Sequence, residues 1–496
     1  MSLPVLNRDL LASAAPRTGL HVPSPALLDL PERAVQFGTG AFLRGFVEAF
    51  LQEANEAGRF NGRVVMVGST GSGRDRTLAE QDGLYTLSVQ GISGGEPVHQ
   101  QHVIGVVSRA LSATDEWDQV LACARAPELE LVFSNTTEVG IVLDQDDQPE
   151  LSPPRSFPGK LARFLYERAR AFDFDPARGV LVLPCELIEN NGSKLREIVL
   201  ALAERWALDP RFAGWIRDAV PFLNTLVDRI VPGTPAADAR AEAETALGYR
   251  DELLTVAEAY RLFVIEADDA LRARIPFAGI DGVTVAADVS LFRERKVRML
   301  NGAHTITVPA ALLAGCTTVL EAVNHPLVGP FLRGALLDDI VPTLDAPGSA
   351  QYALAVLDRF ANPYVKHALT DISLQQTMKM RVRIVPTVVR YAERTGRAPE
   401  SLAFGFAAYL LFVRDGGGLA DDQGDRVRAH WTDAGADASA ETVVQRICAD
   451  AELWGTELDR VPGFAAAAAS ALDAIRRDGV ESALAAHLER SAGVPA

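Results

Sequence analysis

The segment Lys296-Val297-Arg298-Met299-Leu300-Asn301-Gly302-Ala303-His304 brings an amine, a carboxamide and an imidazole within nine residues. At about 100° per residue on a helix, Asn301 lies about 140° from Lys296 and His304 about 80° from it, so the three share one broad polar face. That grouping suits chemistry at a carbonyl or a secondary alcohol. A base takes the hydroxyl proton and donors stabilise the developing alkoxide, while hydride leaves for an acceptor such as a nicotinamide. Lys296 is the candidate base. A lysine takes that role near neutral pH only where desolvation or a neighbouring cation favours the neutral amine, as a cleft between domains would. A solvated helix face could carry the same trio, and an isolated histidine is more often a half-buried packing residue.

A second polar cluster, Pro184-Cys185-Glu186-Leu187-Ile188-Glu189-Asn190-Asn191-Gly192, follows the apolar run Gly179 to Leu183. Asn191 is a candidate second amide donor, with an ordinary Asn-Gly turn as the alternative. Cys185 has no base in identifiable reach and is not assigned as a nucleophile. The eight histidines fall into no HExxH or clustered His/Cys pattern, so no metal is expected.

The elements that would position these groups are short apolar strands. Arg33 to Phe37 reads as a strand, followed by Gly38-Thr39-Gly40 and the helical run Phe42, Leu43, Phe46, Val47, Phe50, Leu51. Val64 to Val67 ends in Gly68-Ser69-Thr70, and Leu129 to Phe133 ends in Ser134-Asn135-Thr136-Thr137-Glu138. Nearly continuous apolar strands separated by helices argue for a parallel sheet covered on both faces, with ligands beyond the carboxyl ends of the strands. Gly38 and Gly40 supply two glycines of a dinucleotide fingerprint, and Leu43 occupies the place of the third. Arg44 is a candidate phosphate contact. The second strand ends without the acid that usually holds the ribose of NAD, and Arg74 lies nearby, so NAD and NADP both stay open.

From about Asp281 apolar residues recur at helical spacing, and Phe464 to Leu488 is alanine-rich and amphipathic. The expected fold is α/β: a Rossmann-like N-terminal domain over residues 1–285 and a mostly α-helical substrate domain over 286–496. Asp415 to Asp425, rich in glycine and aspartate, reads as an exposed loop. With 496 residues, 48% of them hydrophobic, two cores are the default. The net charge of −17 opposes nucleic acid and anionic membranes, and requires a local basic pocket for any anionic substrate. Four scattered cysteines, no cleavable leader pattern and no apolar run near the roughly 20 residues of a membrane span fit a cytoplasmic protein.

Taken together, Phe37-Gly38-Thr39-Gly40-Ala41-Phe42-Leu43-Arg44, Gln81-Asp82-Gly83-Leu84-Tyr85-Thr86 and Lys296 to His304 resemble the polyol-specific long-chain dehydrogenases, the mannitol dehydrogenase family, along nearly the whole chain. Phe133 to Glu138, Leu183 to Ile188, Thr225-Leu226-Val227-Asp228-Arg229-Ile230-Val231 and Asn301 to Thr305 resemble the members of that family that act on hexuronates. The resemblance implies a metal-independent oxidoreductase in which Lys296 is the general acid or base, Asn191 and Asn301 form the oxyanion site, and His304 orients substrate. It implies NAD bound by Phe37, Gly38, Gly40, Ala41, Phe42, Arg44, Ser69, Asn135, Thr136, Thr137 and Glu138, with NADP not excluded. Asp228, Arg229, Arg293, Lys366, His367 and Lys379 are the expected substrate residues. Where mannitol dehydrogenase has a polyol-holding arginine this chain has Asp371, and a glutamate three residues before the lysine is Arg293. Both departures weaken a polyol reading, and the positive charge around Arg293, Lys366, His367 and Lys379 is what a carboxylate-bearing substrate would require. The expected ligand is an open-chain sugar acid, with fructuronate, a neutral hexitol or a non-catalytic nucleotide-binding role as alternatives, in a monomer or small homo-oligomer.

Overall fold

The computed structural model describes residues 3–13, 19–68, 73–136, 140–416, 420–435 and 437–492. The chain divides into two compact units, Met1–Gln90 with Pro97–Val289, and Gly91–Glu96 with Ser290–Ala496.

Among the described residues there are twelve strands, all in the first unit but for the adjoining ends of β4 and β5: β1 (Leu20–His21), β2 (Glu32–Phe37), β3 (Arg63–Gly68), β4 (Tyr85–Ser93), β5 (Glu96–Ile104), β6 (Val107–Ser112), β7 (Leu131–Ser134), β8 (Leu181–Pro184), β9 (Thr225–Asp228), β10 (Thr255–Glu258), β11 (Leu262–Glu266) and β12 (Val283–Ala286). Five form the central sheet in the order β6-β3-β2-β7-β8, every neighbouring pair parallel. Successive residues of these strands feed opposite cores. Val35, Phe37, Val65, Val67, Val132 and Val182 face helices Trp117–Ala124, Phe157–Ala171 and Asn191–Arg205. Ala34, Val64, Met66, Leu131, Phe133, Leu181 and Leu183 face helix Val47–Glu56 and the aromatic group Phe263 and Phe277. Burial on both faces is why these strands read as unbroken apolar runs rather than alternating ones. The chain leaves β2 toward β3 on one side and places β7 on the other, so the sheet reverses direction between β2 and β7, where an open α/β sheet forms its crevice. Two smaller sheets, in orders β1-β5-β4-β10 and β12-β11-β9, complete this unit. β4 and β5, nine residues each, interleave polar with apolar residues, and β9, β11 and β12 are only four or five residues long, so these sheets lack the long apolar runs that made the central sheet legible.

The second unit is helical. Its centre is helix Glu400–Arg414, buried continuously from Ser401 to Val413, as a helix that is apolar all round must be. It packs on helices Gly302–Leu313 and Phe464–Asp478. Gly405 permits the first crossing, since a Cβ there would lie 2.8 Å from the Ile306 carbonyl oxygen and closer still to the Ile306 side chain. Among the described residues, three π turns interrupt the helices: Val297–Asn301, Ala335–Ile340 and Met380–Ile384. Pro342 and Pro386 sit just beyond the latter two, where a missing N–H disturbs the regular ladder. Among the described residues no helix is long and apolar enough to cross a membrane, and no group of His, Cys, Asp or Glu is placed to hold a metal.

Candidate active site

At the crevice of the first unit, Gly38 has φ +124°, and a Cβ there would meet the Asn135 carbonyl oxygen at 3.1 Å. Only glycine fits this left-handed conformation without strain. The backbones of β2 and β7 join here, the Asn135 N–H donating to the Phe37 carbonyl at 3.3 Å and the Gly38 N–H to the Val67 carbonyl at 2.9 Å. Gly40 caps helix Ala41–Arg44, and the space its Cβ would take is open to 4 Å. A turn of this shape, bare of side chains and placed at a strand's carboxyl end, fits a pyrophosphate. The Phe37 ring points into the core against Phe157 and Phe164, so only its backbone faces the turn. Phe42 stacks on Phe46 at 5.0 Å.

Arg44 is 2% exposed. Its guanidinium donates to the Thr39 carbonyl at 2.6 Å and to Thr255 Oγ1 at 3.2 Å, while the Tyr85 hydroxyl donates to the Arg44 carbonyl at 2.8 Å. Burial lowers its pKa. This arginine braces the glycine turn from below, which differs from the phosphate contact its position suggested. The third glycine of the fingerprint has a counterpart two residues beyond Leu43. Gly45 packs so closely that a Cβ would meet Val231 Cγ1 at 2.8 Å, and its carbonyl accepts from Arg229 Nη1 at 2.7 Å.

Beyond β7 and β8, Glu186 gathers the loop. It is buried, accepts from the Thr136 N–H at 2.9 Å, Thr136 Oγ1 at 3.1 Å and Ser134 Oγ at 3.1 Å, and burial raises its pKa against those donors. Asn135 Nδ2 donates to the Cys185 carbonyl at 2.7 Å. Cys185 is fully buried with its thiol pKa pushed up, which disfavours a nucleophilic thiolate. Ser69, Thr137 and Glu138 lie outside the described residues.

Asn191 departs from its expected role. Its carboxamide is 0% exposed, with Nδ2 donating to the Pro184 carbonyl at 2.9 Å, the Glu186 carbonyl at 3.1 Å and Thr225 Oγ1 at 3.0 Å. Its Oδ1 accepts from the Thr225 N–H at 2.9 Å. Both amide hydrogens are thus committed inside the protein, and in this arrangement the side chain ties β8 to β9 instead of facing a substrate oxygen. Arg229 is committed in the same way: 7% exposed, it donates to the Glu258 carbonyl at 2.9 Å as well as to Gly45, and burial lowers its pKa to about 10. Asp228, beside it on β9, is 5% exposed.

In the second unit Lys296 ends helix Ser290–Lys296, with Arg293 one turn before it. The next five residues, Val297–Asn301, form a π turn. Its i→i+5 bonding sets residues five apart about one turn apart, so Asn301 follows Lys296 more nearly in line than the 140° of an ideal α-helix would place it (about 100° per residue). Lys296, Asn301 and His304 are all partly exposed, and among the described residues the Asn301 carboxamide has no hydrogen-bond partner. Asn301 is thus half-exposed where Asn191 is fully buried.

The His304 ring packs on Phe360 at 3.9 Å and on His367 at 5.3 Å between ring centres. Burial, reinforced by His367, Arg359, Arg383 and Lys379, holds its pKa well below the usual histidine value, so the imidazole is neutral. Lys379 donates to the Ile372 carbonyl at 2.8 Å, and burial together with Arg383 lowers its pKa. The structure therefore brings His304, His367 and Lys379 together, whereas Lys366 stands exposed in the loop after Phe360. Arg383, Arg359 and Phe360 were not singled out in the sequence. The spacing Lys379-x-x-x-Arg383 was the available signal, since residues four apart on a helix are neighbours.

The mannitol dehydrogenase Rossmann domain family matches residues 32–279, and the mannitol dehydrogenase C-terminal domain family matches residues 288–476. The altronate oxidoreductase of Bacillus subtilis (strain 168) is 43% identical over 457 residues, covering 92% of this chain and 95% of that protein. Among solved structures, a D-sorbitol dehydrogenase in substrate-free form aligns with TM-score 0.77 and 25% identity, covering 97% of this chain and 100% of that one. The Pseudomonas fluorescens mannitol 2-dehydrogenase ternary complex with NAD and D-mannitol aligns with TM-score 0.64 and 25% identity, covering 98% and 99%.

Proposed function

The chain belongs to the mannitol dehydrogenase family, and on that premise we propose that it is a tagaturonate reductase, interconverting D-tagaturonate and D-altronate with NAD as cofactor in hexuronate catabolism. The observation that carries this reading is the Lys296, Asn301 and His304 set on two helices joined by a π turn, in a chain that is 43% identical to an altronate oxidoreductase.

NADH, held at the turn of Gly38 and Gly40, would supply the hydride for the keto carbon. Lys296 gives an ammonium proton to the keto oxygen and takes it back in the oxidative direction. Asn301, the carboxamide left open by the fold, donates to the same oxygen as charge builds on it. His304, neutral because of its surroundings, orients a substrate hydroxyl as a hydrogen-bond partner and adds no charge to the reacting centre. Asn191 holds the loop between β8 and the helix after it. The backbones of Phe37, Gly38, Gly40, Ala41 and Phe42, together with Asn135 and Thr136, line the turn that takes the cofactor. Arg293, Lys366 and Lys379 supply positive charge for the substrate's carboxylate, and His367, whose pKa burial lowers, offers a hydrogen-bond partner beside them. The four cysteines, all free and buried, fit a reducing cytoplasm.

An absorbance assay of NADH and NADPH oxidation with tagaturonate, fructuronate and fructose tests the assignment. Tagaturonate with NADH is expected to give the highest kcat/KM. A preference for either other sugar reassigns the substrate, and a preference for NADPH reassigns the cofactor.

A further inference from the structure

Several arginines of the second unit are paired with carboxylates: Arg298 with Glu294 at 3.0 Å, Arg394 with Asp345 at 2.7 Å and Arg426 with Asp450 at 2.7 Å. Arg383 is not. It is half-buried on the π turn Met380–Ile384, and its one hydrogen bond among the described residues runs from Nη1 to Thr305 Oγ1 at 3.1 Å. Burial lowers its pKa with no carboxylate contributing. Thr305 is 0% exposed and its own hydroxyl proton goes to the Asn301 carbonyl at 2.7 Å, so its Oγ1 is a fixed acceptor that orients the guanidinium. Lys379, four residues earlier, likewise has no ion-pair partner among the described residues. The acid that acts on it, Asp421, accepts from the Thr377 N–H at 2.9 Å and from Thr377 Oγ1 at 2.7 Å. Both cations act on His304.

Partly buried cations without counter-ions are costly in the free protein, and the cost is offset when an anion arrives. A guanidinium presents parallel donors that match the two oxygens of a carboxylate. We propose that Arg383 anchors the carboxylate of the substrate, its fork oriented by Thr305 and its charge supplemented by Lys379, and so selects sugar acids over neutral ketoses. This inference rests on the hexuronate reading given above. It adds a specificity residue four positions from Lys379, and makes Arg383 a stronger determinant than the exposed Lys366.

The test compares tagaturonate with D-fructose in the wild-type enzyme, Arg383→Gln and Arg383→Lys, with NADH saturating. In Arg383→Gln the ratio of kcat/KM for tagaturonate to that for fructose should fall on the order of 100-fold, chiefly through KM, the scale of a lost charge-assisted hydrogen bond. Arg383→Lys should recover part of that ratio, because charge returns without the fork. An unchanged ratio in both variants overturns the role of Arg383 and leaves the hexuronate activity standing. A wild-type enzyme inactive on tagaturonate overturns both. Should Arg383→Gln fail to fold by thermal melting, Arg383→Lys alone decides: an unchanged ratio again counts against the proposal.

Discussion

Gln376 Nε2 donates to the carbonyl of Thr305 at 2.7 Å, deep in the helical unit where both residues are 0% exposed. The acceptor is free because Pro309, four residues on in helix Gly302–Leu313, has no N–H to offer it. One side chain thereby repairs the helix that carries His304 and fixes it to the segment that carries Lys379.

Replacing Gln376 with Met should leave that buried carbonyl unpartnered and cost about 1–3 kcal/mol, lowering Tm by roughly 2–4 °C for each kcal/mol lost. Adding Pro309→Ala should restore part of the loss, since the new N–H can close the helical bond. Thermal melts of the two single variants and the double variant check this; purely additive losses would contradict it.

Gly45 is expected to tolerate no side chain beside Val231. Gly45→Ala should cost about 1–3 kcal/mol through overpacking and weaken NADH binding, followed by protein fluorescence. Gly45→Ala combined with Val231→Ala should regain most of the affinity, because the contact at 2.8 Å is with Val231 Cγ1.

Glu48 gives a pH signature. It is fully buried beside Gln36 beneath the glycine turn, and burial raises its pKa to about 7 against 4.5, with Gln36 and Arg44 opposing the shift. A folded-state pKa above the unfolded one means that the group's stabilisation is complete below about 4.5 and is lost as pH rises through about 7. Glu48→Gln should therefore stabilise the protein at pH 8 by up to about 3 kcal/mol and do little at pH 4. Asp339, also raised to about 7 by burial, adds a second decline of the same sign that Glu48→Gln leaves in place. Urea midpoints across pH decide the matter. Equal effects at both ends would contradict the assignment.

Arg293→Ala and Lys379→Ala should raise KM for a hexuronate far more than for a neutral ketose, with little change in kcat for either. Equal effects on both substrates would remove these residues from carboxylate recognition.

The central sheet was legible because burial on both faces wrote it as apolar runs, from Val64 to Val67 and from Gly179 to Leu183, each closed by polar residues at the carboxyl end. The glycine turn was legible for the same reason that it is needed, since a φ of +124° at Gly38 leaves no freedom of residue type. Tertiary choices were not legible. Asn191 and Arg229 are polar residues whose partners are mostly backbone carbonyls brought close by folding, and no spacing announces that. Nor does spacing reveal a π turn, which altered the relation of Lys296 to Asn301. Gly45 was missed because the fingerprint was read at fixed spacing, whereas the short helix Ala41–Arg44 ends just before it. Arg383 was missed because an unpaired cation is defined by what surrounds it.

Single-turnover reduction of tagaturonate by enzyme-bound NADH, wild type against Lys296→Ala, tests most directly whether that amine moves the proton. The hydride step should slow by about 10²–10⁴-fold, the scale of a lost general acid, while NADH affinity stays the same. A variant that reduces tagaturonate within a few-fold of the wild-type rate would contradict the mechanism.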